Sequence, residues 1–170
     1  KFDFLKEKLV TLKEEGHSAL VFSQFIKSLD LLEQICKDQK LTYFRLDGSL
    51  SAAKRNAVIT AFTNLKEPAV LLMSLKASGF GLNLVKASYV FHLDPWWNPA
   101  VENQATDRVH RIGQTRPVFA YKLVMHDSIE NKIEQIKTTK SKLFKQLLDE
   151  SSITKRESVL TIDDLRFLLD

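Results

Sequence analysis

The sequence predicts an α/β fold in which helices cover both faces of a parallel β-sheet. Short apolar runs, each about five or six residues long, alternate with segments in which apolar residues recur at helical spacing. Strands that are apolar throughout and separated by helices are typical of parallel sheets buried on both faces. A chain of 170 residues with 44% hydrophobic and 27% charged residues has the composition of an ordinary globular domain and can bury a sizeable core.

The first 127 residues carry the predicted sheet. Apolar residues at helical intervals from Phe2 to Leu12 predict a first helix, which Gly16 ends. The buried strands are expected at 18–23, 42–46, 69–73, 89–93 and 118–124. Further helices are expected from the end of the first strand to about residue 39, after the N-cap candidate Ser51, and from Pro99, which a first helical turn tolerates.

The rest of the chain differs in character. Residues 128–149 predict a long helix with an apolar stripe interleaved with lysines and interrupted at Thr138-Thr139-Lys140. A polar stretch then leads to a short final helix at 161–169. The chain therefore divides into a sheet domain at 1–127, a long helix at 128–150, and a C-terminal tail with a short helix at 151–170.

Composition narrows the classes of function. The net charge of +4 and a pI near 9.1 suit a polyanionic partner without demanding one. No apolar run approaches the ~20 residues of a membrane span, so we predict no membrane partner. Cys36 falls within a helical apolar pattern, which favours a buried thiol in a reducing, intracellular compartment. His17, His92, His110 and Cys36 lack metal-ligand spacing, and we predict no metal site.

Arg108 and Arg111 form the most informative pair in the chain. Three residues apart in a predicted helix, they share one face and present guanidinium groups suited to a polyphosphate. Gln104 lies one turn earlier, Asp107 can orient a guanidinium, and Gly113 ends the helix. None of the five glycines is followed by lysine, so the chain lacks a G-x-x-x-x-G-K-[ST] phosphate loop. The arginines are therefore expected to form one half of a nucleotide site whose other half lies elsewhere.

Polar and glycine-bearing segments follow the predicted strands. Ser74 and Lys76 are candidate phosphate donors, while Gly79 and Gly81 allow the backbone to approach a ligand closely. Similar segments are Ser23-Gln24, Asp47-Gly48-Ser49 with Arg55 on the following helix, and Asp94 to Asn98. The two tryptophans of the last segment are expected to cover the next helix, with base stacking as the alternative. Because the carboxyl ends of parallel strands meet at one edge, we expect these segments to converge on a ligand.

Taken together, these motifs resemble the second RecA-like lobe of superfamily-two helicases, and within it the Swi/Snf family of DNA-dependent ATPases. The likeness runs in the family's order through ALVFSQF (19–25), RLDGSLSAAKRNAVITAF (45–62), LLMSLKASGFGLNL (71–84) and FHLDPWWNPAVENQATDRVHRIGQ (91–114). The last segment is the most specific, because it ends in HRIGQ where the RNA-unwinding DEAD-box lineage usually has arginine. Gln114 and DPWWNP therefore favour the DNA-translocating branch.

The resemblance implies a role for each matching residue. Arg108 and Arg111 would be arginine fingers that reach ATP, which with Mg²⁺ would be held mainly by a missing first lobe. Gln104 and Asp107 would help to position the nucleotide. The loop beside the nucleotide would be shaped by Gly79 and Gly81. The family grips DNA phosphates with the motifs that contain Ser23, Gln24, Gly48, Ser49, Arg55, Ser74 and Lys76. The helix at 128–150 resembles the family's brace, which crosses back onto the first lobe.

The implied activity is that of an ATP-dependent double-stranded-DNA translocase or remodeller. Its partners would be duplex DNA, the first lobe of the same polypeptide and DNA-bound proteins, in a eukaryotic nucleus or in prokaryotic cytoplasm or nucleoid. Two alternatives remain open: an RNA-directed helicase lobe, which Gln114 argues against, and a non-catalytic nucleic-acid-binding scaffold, which the intact arginine pair argues against. The chain starts with lysine instead of methionine and is expected to be an excised fragment. Alone, without the first lobe's phosphate-binding lysine and acidic pair, it is expected not to hydrolyse ATP at a meaningful rate.

Overall fold

The computed structural model describes residues 1–75, 77, 84–96, 98–107, 109 and 113–150, with backbone alone at 99 and 140–150. Helices and strands alternate through this part of the chain. The helices are α1 (Phe2–Glu14), α2 (Ile26–Asp38), α3 (Ala52–Asn64), α4 (Pro99–Thr106) and α5 (Ile129–Glu150). The strands are β1 (Ser18–Ser23), β2 (Tyr43–Leu46), β3 (Val70–Ser74), β4 (Ala87–His92) and β5 (Phe119–Lys122). The predicted final helix at 161–169 lies outside the described residues.

The five described strands form one parallel sheet in the order β2-β3-β1-β4-β5. The central strand β1 pairs with β3 on one side and with β4 on the other. Every strand therefore presents its carboxyl end at the same edge of the sheet. This is the RecA-like α/β fold, so the predicted fold class is confirmed.

Alternate residues of β1 enter two separate cores, one on each face of the sheet. Leu20 and Phe22 pack on the face that α3 covers, where Phe62 is fully buried. Ala19 and Val21 pack on the opposite face against α1 and α2. The helical side chains that fill this second core are Leu5, Leu9, Leu12, Leu29, Leu32 and Cys36. Burial on both faces explains why the strand reads as a continuous apolar run.

Local signals set several element ends. Beyond the end of α1, Gly16 has a φ of +77°, a conformation that glycine adopts without steric cost. Ser51 caps α3, since its hydroxyl oxygen accepts a hydrogen bond from the Lys54 N–H at 3.4 Å. Asn98 caps α4 in the same way, accepting from the Ala100 N–H at 2.9 Å. Both caps fall at the positions where the sequence predicts a helix to begin.

Helix α4 is shorter than the sequence predicts. The spacing of its residues predicts a helix that continues to Gly113, but α4 ends at Thr106 with Asp107 as its C-cap. The Val109 N–H then donates to the Thr106 carbonyl at 3.0 Å, an i→i−3 bond that is tighter than an α-helical turn. Val109 is fully buried in the core. Packing against the sheet thus determines where this helix ends, which helical spacing alone does not reveal.

The long helix predicted at 128–149 is present as α5. Near the start of α5, Glu130 pairs with Lys1 at 2.5 Å and accepts a hydrogen bond from the Met125 N–H at 2.9 Å. Further along, Lys137 is buried, although the sequence places it among solvated lysines. No helix in the described part of the chain is long and apolar enough to cross a membrane.

Candidate nucleotide and nucleic-acid site

The carboxyl ends of β1 and β4 are joined by a buried hydrogen bond. The Ser23 hydroxyl donates to the carboxylate of Asp94, which lies just beyond β4. The same carboxylate accepts from the Gln24 N–H at 3.2 Å, and the Ser23 oxygen accepts from the Phe25 N–H at 3.0 Å. Two of the predicted polar segments therefore meet at one edge of the sheet, as the parallel arrangement requires.

Burial determines the chemistry of this junction. Ser23 and Asp94 are both buried. Burial raises the pKa of the Asp94 carboxyl, and the hydrogen bonds from Ser23 and the Gln24 N–H oppose this rise without cancelling it. Ser23 is thus committed to the protein interior in this conformation, whereas the Gln24 side chain is half-buried. The phosphate-binding role of both residues stays a prediction.

The turn after β2 is organised by Asp47. Its carboxylate accepts from both the backbone N–H and the hydroxyl of Ser49, at 2.9 and 2.6 Å, and pairs with Arg45 at 2.8 Å. The hydrogen bond from the Ser49 hydroxyl, helped by Arg45, holds the pKa of Asp47 below its ordinary value despite burial. Gly48 is exposed, and a Cβ built there would meet nothing within 4 Å. The turn is thus pre-formed around a carboxylate, with Gly48 at its exposed tip.

The remaining predicted site residues divide into described and undescribed groups. Ser74, at the end of β3, is buried, and its hydroxyl accepts from the Ala77 N–H at 3.3 Å. Arg55 on α3 is half-buried, while Gln104 and Asp107 on and after α4 are exposed. Lys76, Gly79, Gly81, Arg108 and Arg111 lie outside the described residues. The neighbours of the arginine pair, Thr106, Asp107, Gly113 and Gln114, are described.

The stretch that bears the two arginines, residues 107–113, is called the arginine segment below. Thr106, which precedes it, is bonded to the end of β4. His92 Nε2 and the Thr106 hydroxyl lie 3.0 Å apart, and that hydroxyl donates to the Glu102 carbonyl at 3.2 Å. His92 therefore donates through Nε2 and leaves Nδ1 unprotonated, without a hydrogen-bond partner among the described residues. Burial lowers the pKa of His92 to about 4, so the ring is neutral at physiological pH.

On its C-terminal side the segment is tied to the start of β4. Gly113 adopts a φ of +103°, and Gln114 follows it. The Gln114 amide donates to the carbonyl oxygens of Val85 and Ala87, both at 2.9 Å, and accepts from the Arg116 N–H at 2.9 Å. Both the amide nitrogen and the amide oxygen of the Gln114 side chain therefore bond to backbone groups. These three bonds, which hold Gln114 to the start of β4 and to the following turn, are called the Gln114 latch below.

A buried carboxylate links α4 to three other parts of the fold. Glu102 is 1% exposed, and it accepts a hydrogen bond from the Trp96 N–H at 2.6 Å. Lys122 of β5 lies 2.7 Å from one carboxylate oxygen, and Lys137 of α5 lies 3.0 Å from the other. Burial alone would raise the pKa of Glu102, but the bonds from Lys122, the Trp96 N–H and Lys137 outweigh burial and lower it.

Sequence reasoning missed the residues that organise this region. Asp94 was assigned to a polar segment without its Ser23 contact, and His92 was taken as part of an apolar strand. Glu102 and Lys137 carried no signal, because a carboxylate and an amine 35 residues apart reveal their pairing only once the helices pack. For His92 a signal existed, since a histidine inside an apolar strand that is buried on both faces requires a polar partner.

Comparison with known proteins decides the family. Residues 1–113 match the family described as helicase conserved C-terminal domain. This chain belongs to that family. The domain is 43% identical over 137 residues to an uncharacterized ATP-dependent helicase of Mycoplasma genitalium, and 43% identical over 138 residues to the DNA repair protein RAD5B of Arabidopsis thaliana. Each alignment covers 81% of this chain and only 13% and 11% of those two relatives.

A solved structure is similar as well. The crystal structure of the C-terminal part of the Fun30 ATPase domain has a TM-score of 0.76 at 34% sequence identity. The similarity covers 96% of this chain and 47% of the Fun30 chain. The resemblance to the second lobe of Swi/Snf-family helicases is confirmed by these relatives.

Proposed function

We propose that this chain is the second lobe of a two-lobed, ATP-dependent motor that moves on double-stranded DNA. The observation that carries the proposal is the anchoring of the arginine-bearing segment to both ends of β4, through His92–Thr106 and through Gln114. Such anchoring suits guanidinium groups that must meet a transition state in one position. The family match and the ATP-dependent helicases among the relatives support the same assignment.

The donor chemistry of the chain fits one side of a triphosphate site. Arg108 and Arg111 supply cationic donors, and the exposed amide of Gln104 precedes them on α4. Among the described residues, no group of three His, Cys, Asp or Glu side chains is placed to hold a metal ion, so we assign Mg²⁺ to the first lobe. ATP supplies the phosphoanhydride bond whose hydrolysis releases the two lobes. The arginines neutralise charge on the transferred group and link hydrolysis to lobe closure.

We assign the grip on DNA to the carboxyl edge of the sheet. The exposed tip at Gly48, together with Arg55 and the Gln24 side chain, offers backbone and side-chain donors to phosphates. Ser49 donates through both its N–H and its hydroxyl to Asp47, and in this proposal it shapes the turn that presents this tip. Ser23 and Ser74 are buried, and in this proposal they shape the edge through Asp94 and Ala77. Contacts of this kind bind the backbone without reading sequence, which suits a translocase.

The test is steady-state ATPase of the full-length protein that contains this chain, with duplex DNA, single-stranded DNA, RNA or no nucleic acid. We expect stimulation by duplex DNA and a loss of about 10³-fold or more in Arg108→Ala and in Arg111→Ala. Arg116→Ala is the matched control, because Arg116 is an exposed arginine of the same segment. Stimulation by RNA alone would assign an RNA helicase, and the absence of turnover under every condition would indicate a binding scaffold.

The 170-residue chain by itself is expected to show no meaningful turnover. Sustained hydrolysis by the purified chain, retained through successive purification steps and abolished in Arg108→Ala, would contradict the two-lobe assignment.

A further inference from the structure

Glu102 and Lys137 form a buried ion pair between α4 and α5 that the proposed arginine and DNA contacts do not account for. The carboxylate side chain is fully buried, and the lysine side chain is 7% exposed. Lys137 Nζ lies 3.0 Å from Glu102 and 2.5 Å from Glu134, which is on its own helix. Glu102 also pairs with Lys122, and Lys137 also pairs with Glu134, so loss of either charge leaves the other buried charge with one ionic partner fewer.

The pair lies close in sequence to the arginine segment. Glu102 is in the first turn of α4, and Thr106, its neighbour one turn later, is held by His92 at the end of α4. Arg108 follows Thr106 by two residues. The position of α4 therefore determines where the arginine segment starts.

The same carboxylate gathers the elements around α4. The backbone N–H of Trp96, in the loop before α4, donates to one carboxylate oxygen of Glu102, and Lys122 of β5 pairs with the other oxygen. Lys137 adds the long helix. Glu102 thus connects α4 to the loop before it, to β5 and to α5. A shift of α5 would therefore displace α4 through this one side chain.

We propose that the Glu102–Lys137 pair is the contact through which α5 holds α4, so that both residues position the arginine segment for ATP hydrolysis. This inference rests on the proposed function. It makes α5 part of the catalytic geometry of this lobe, in addition to any contact it has with a first lobe. Neither residue touches the nucleotide in this proposal, and both act through the arginine segment.

The test compares Glu102→Gln, Lys137→Met and the double variant in the full-length protein. We expect the DNA-stimulated kcat to fall on the order of ten- to a hundredfold in each single variant, as for small displacements of catalytic groups, with KM for ATP changing less than about threefold. The double variant is expected to lose no more than the worse single variant, because both remove one contact. Lys137→Arg keeps the charge and is expected to stay within about threefold of the original kcat.

Glu134→Gln is the matched control, since it removes the more exposed partner of Lys137 and leaves Glu102 in place. Each variant is assayed well below its own melting temperature, so that a pair that merely stabilises the fold would lower Tm and leave kcat unchanged. Folded Glu102→Gln and Lys137→Met proteins with the original kcat, alongside an inactive Arg108→Ala, would overturn this inference and leave the proposed function standing. An Arg108→Ala protein with the original kcat would overturn both.

Discussion

The buried His92 ring predicts a specific loss of stability in mild acid. Its pKa is about 4 in the folded chain against 6.5 for an unperturbed histidine, because burial disfavours the charged ring. The unfolded chain therefore takes up a proton near pH 6.5, while the folded chain does not until about pH 4. The stability contributed by the neutral ring is complete above pH 6.5 and is lost as the pH falls towards 4. Between pH 7.5 and pH 5 this loss is about 2 kcal/mol.

The assay is urea unfolding of the chain at intervals between pH 7.5 and pH 5, with His92→Gln as the reference. Glutamine can still bond to the Thr106 hydroxyl but does not titrate, so the pH slopes of Asp94 and Glu102 are common to both proteins. The free energy of unfolding of the original chain is expected to fall about 2 kcal/mol further than that of the variant.

Parallel pH slopes in the two proteins would refute the reasoning. A direct measurement gives the same decision if the variant folds poorly. In the folded chain, the ring resonances of His92 should show no titration above pH 5. A His92 midpoint near 6.5 would mean that the ring is not held neutral by burial.

Two further predictions concern the chain itself. Gln114→Leu leaves two carbonyl oxygens and the Arg116 N–H without their partner, and in urea unfolding it is expected to lower the free energy of unfolding by about 2–3 kcal/mol. As a control, Gln34→Leu at an exposed position should change that free energy by less than about 0.5 kcal/mol. Equal effects of the two substitutions would show that the Gln114 latch contributes nothing to stability. Cys36 is buried, and burial raises the pKa of its thiol from 9.0 to about 12, so alkylation at pH 8 should be at least about 10³-fold slower in the folded chain than in urea. Equal rates would place the thiol at the surface.

The positions of β1, β3 and β4 were predictable because these strands are buried on both faces, whereas the edge strand β5 is mostly exposed. The run from Ser18 to Ser23 is buried throughout, and its predicted and observed bounds coincide. The end of α4 was not predictable in the same way. Helical spacing continues past Thr106, but the bond to His92 and the burial of Val109 belong to packing with a strand that lies earlier in the chain. Local periodicity carries no information about such a contact.

The sheet edge at which the polar segments meet was predictable, but the contacts of their side chains were not. Topology alone brings the segments after β1 and β4 together, so the meeting of Ser23 and Asp94 follows from the parallel sheet. The direction in which each side chain points does not follow. The Ser49 hydroxyl donates to Asp47, and Lys137 is buried although it stands in a lysine-rich helix. The identity of a serine or lysine in a polar motif does not reveal whether its side chain faces a ligand or a neighbouring carboxylate.

The Gln114 latch shows a structural role in this chain for the residue that sequence analysis used to distinguish two helicase lineages. Glutamine can donate to two carbonyls and accept from a backbone N–H at the same time, and all three bonds are made here. Arginine, the usual DEAD-box residue at this position, has no acceptor and could not hold the Arg116 N–H. An arginine in place of Gln114 would therefore leave the Arg116 N–H without this partner. Position 114 is thus coupled to the turn that follows it, so that a change of residue here requires a change in that turn.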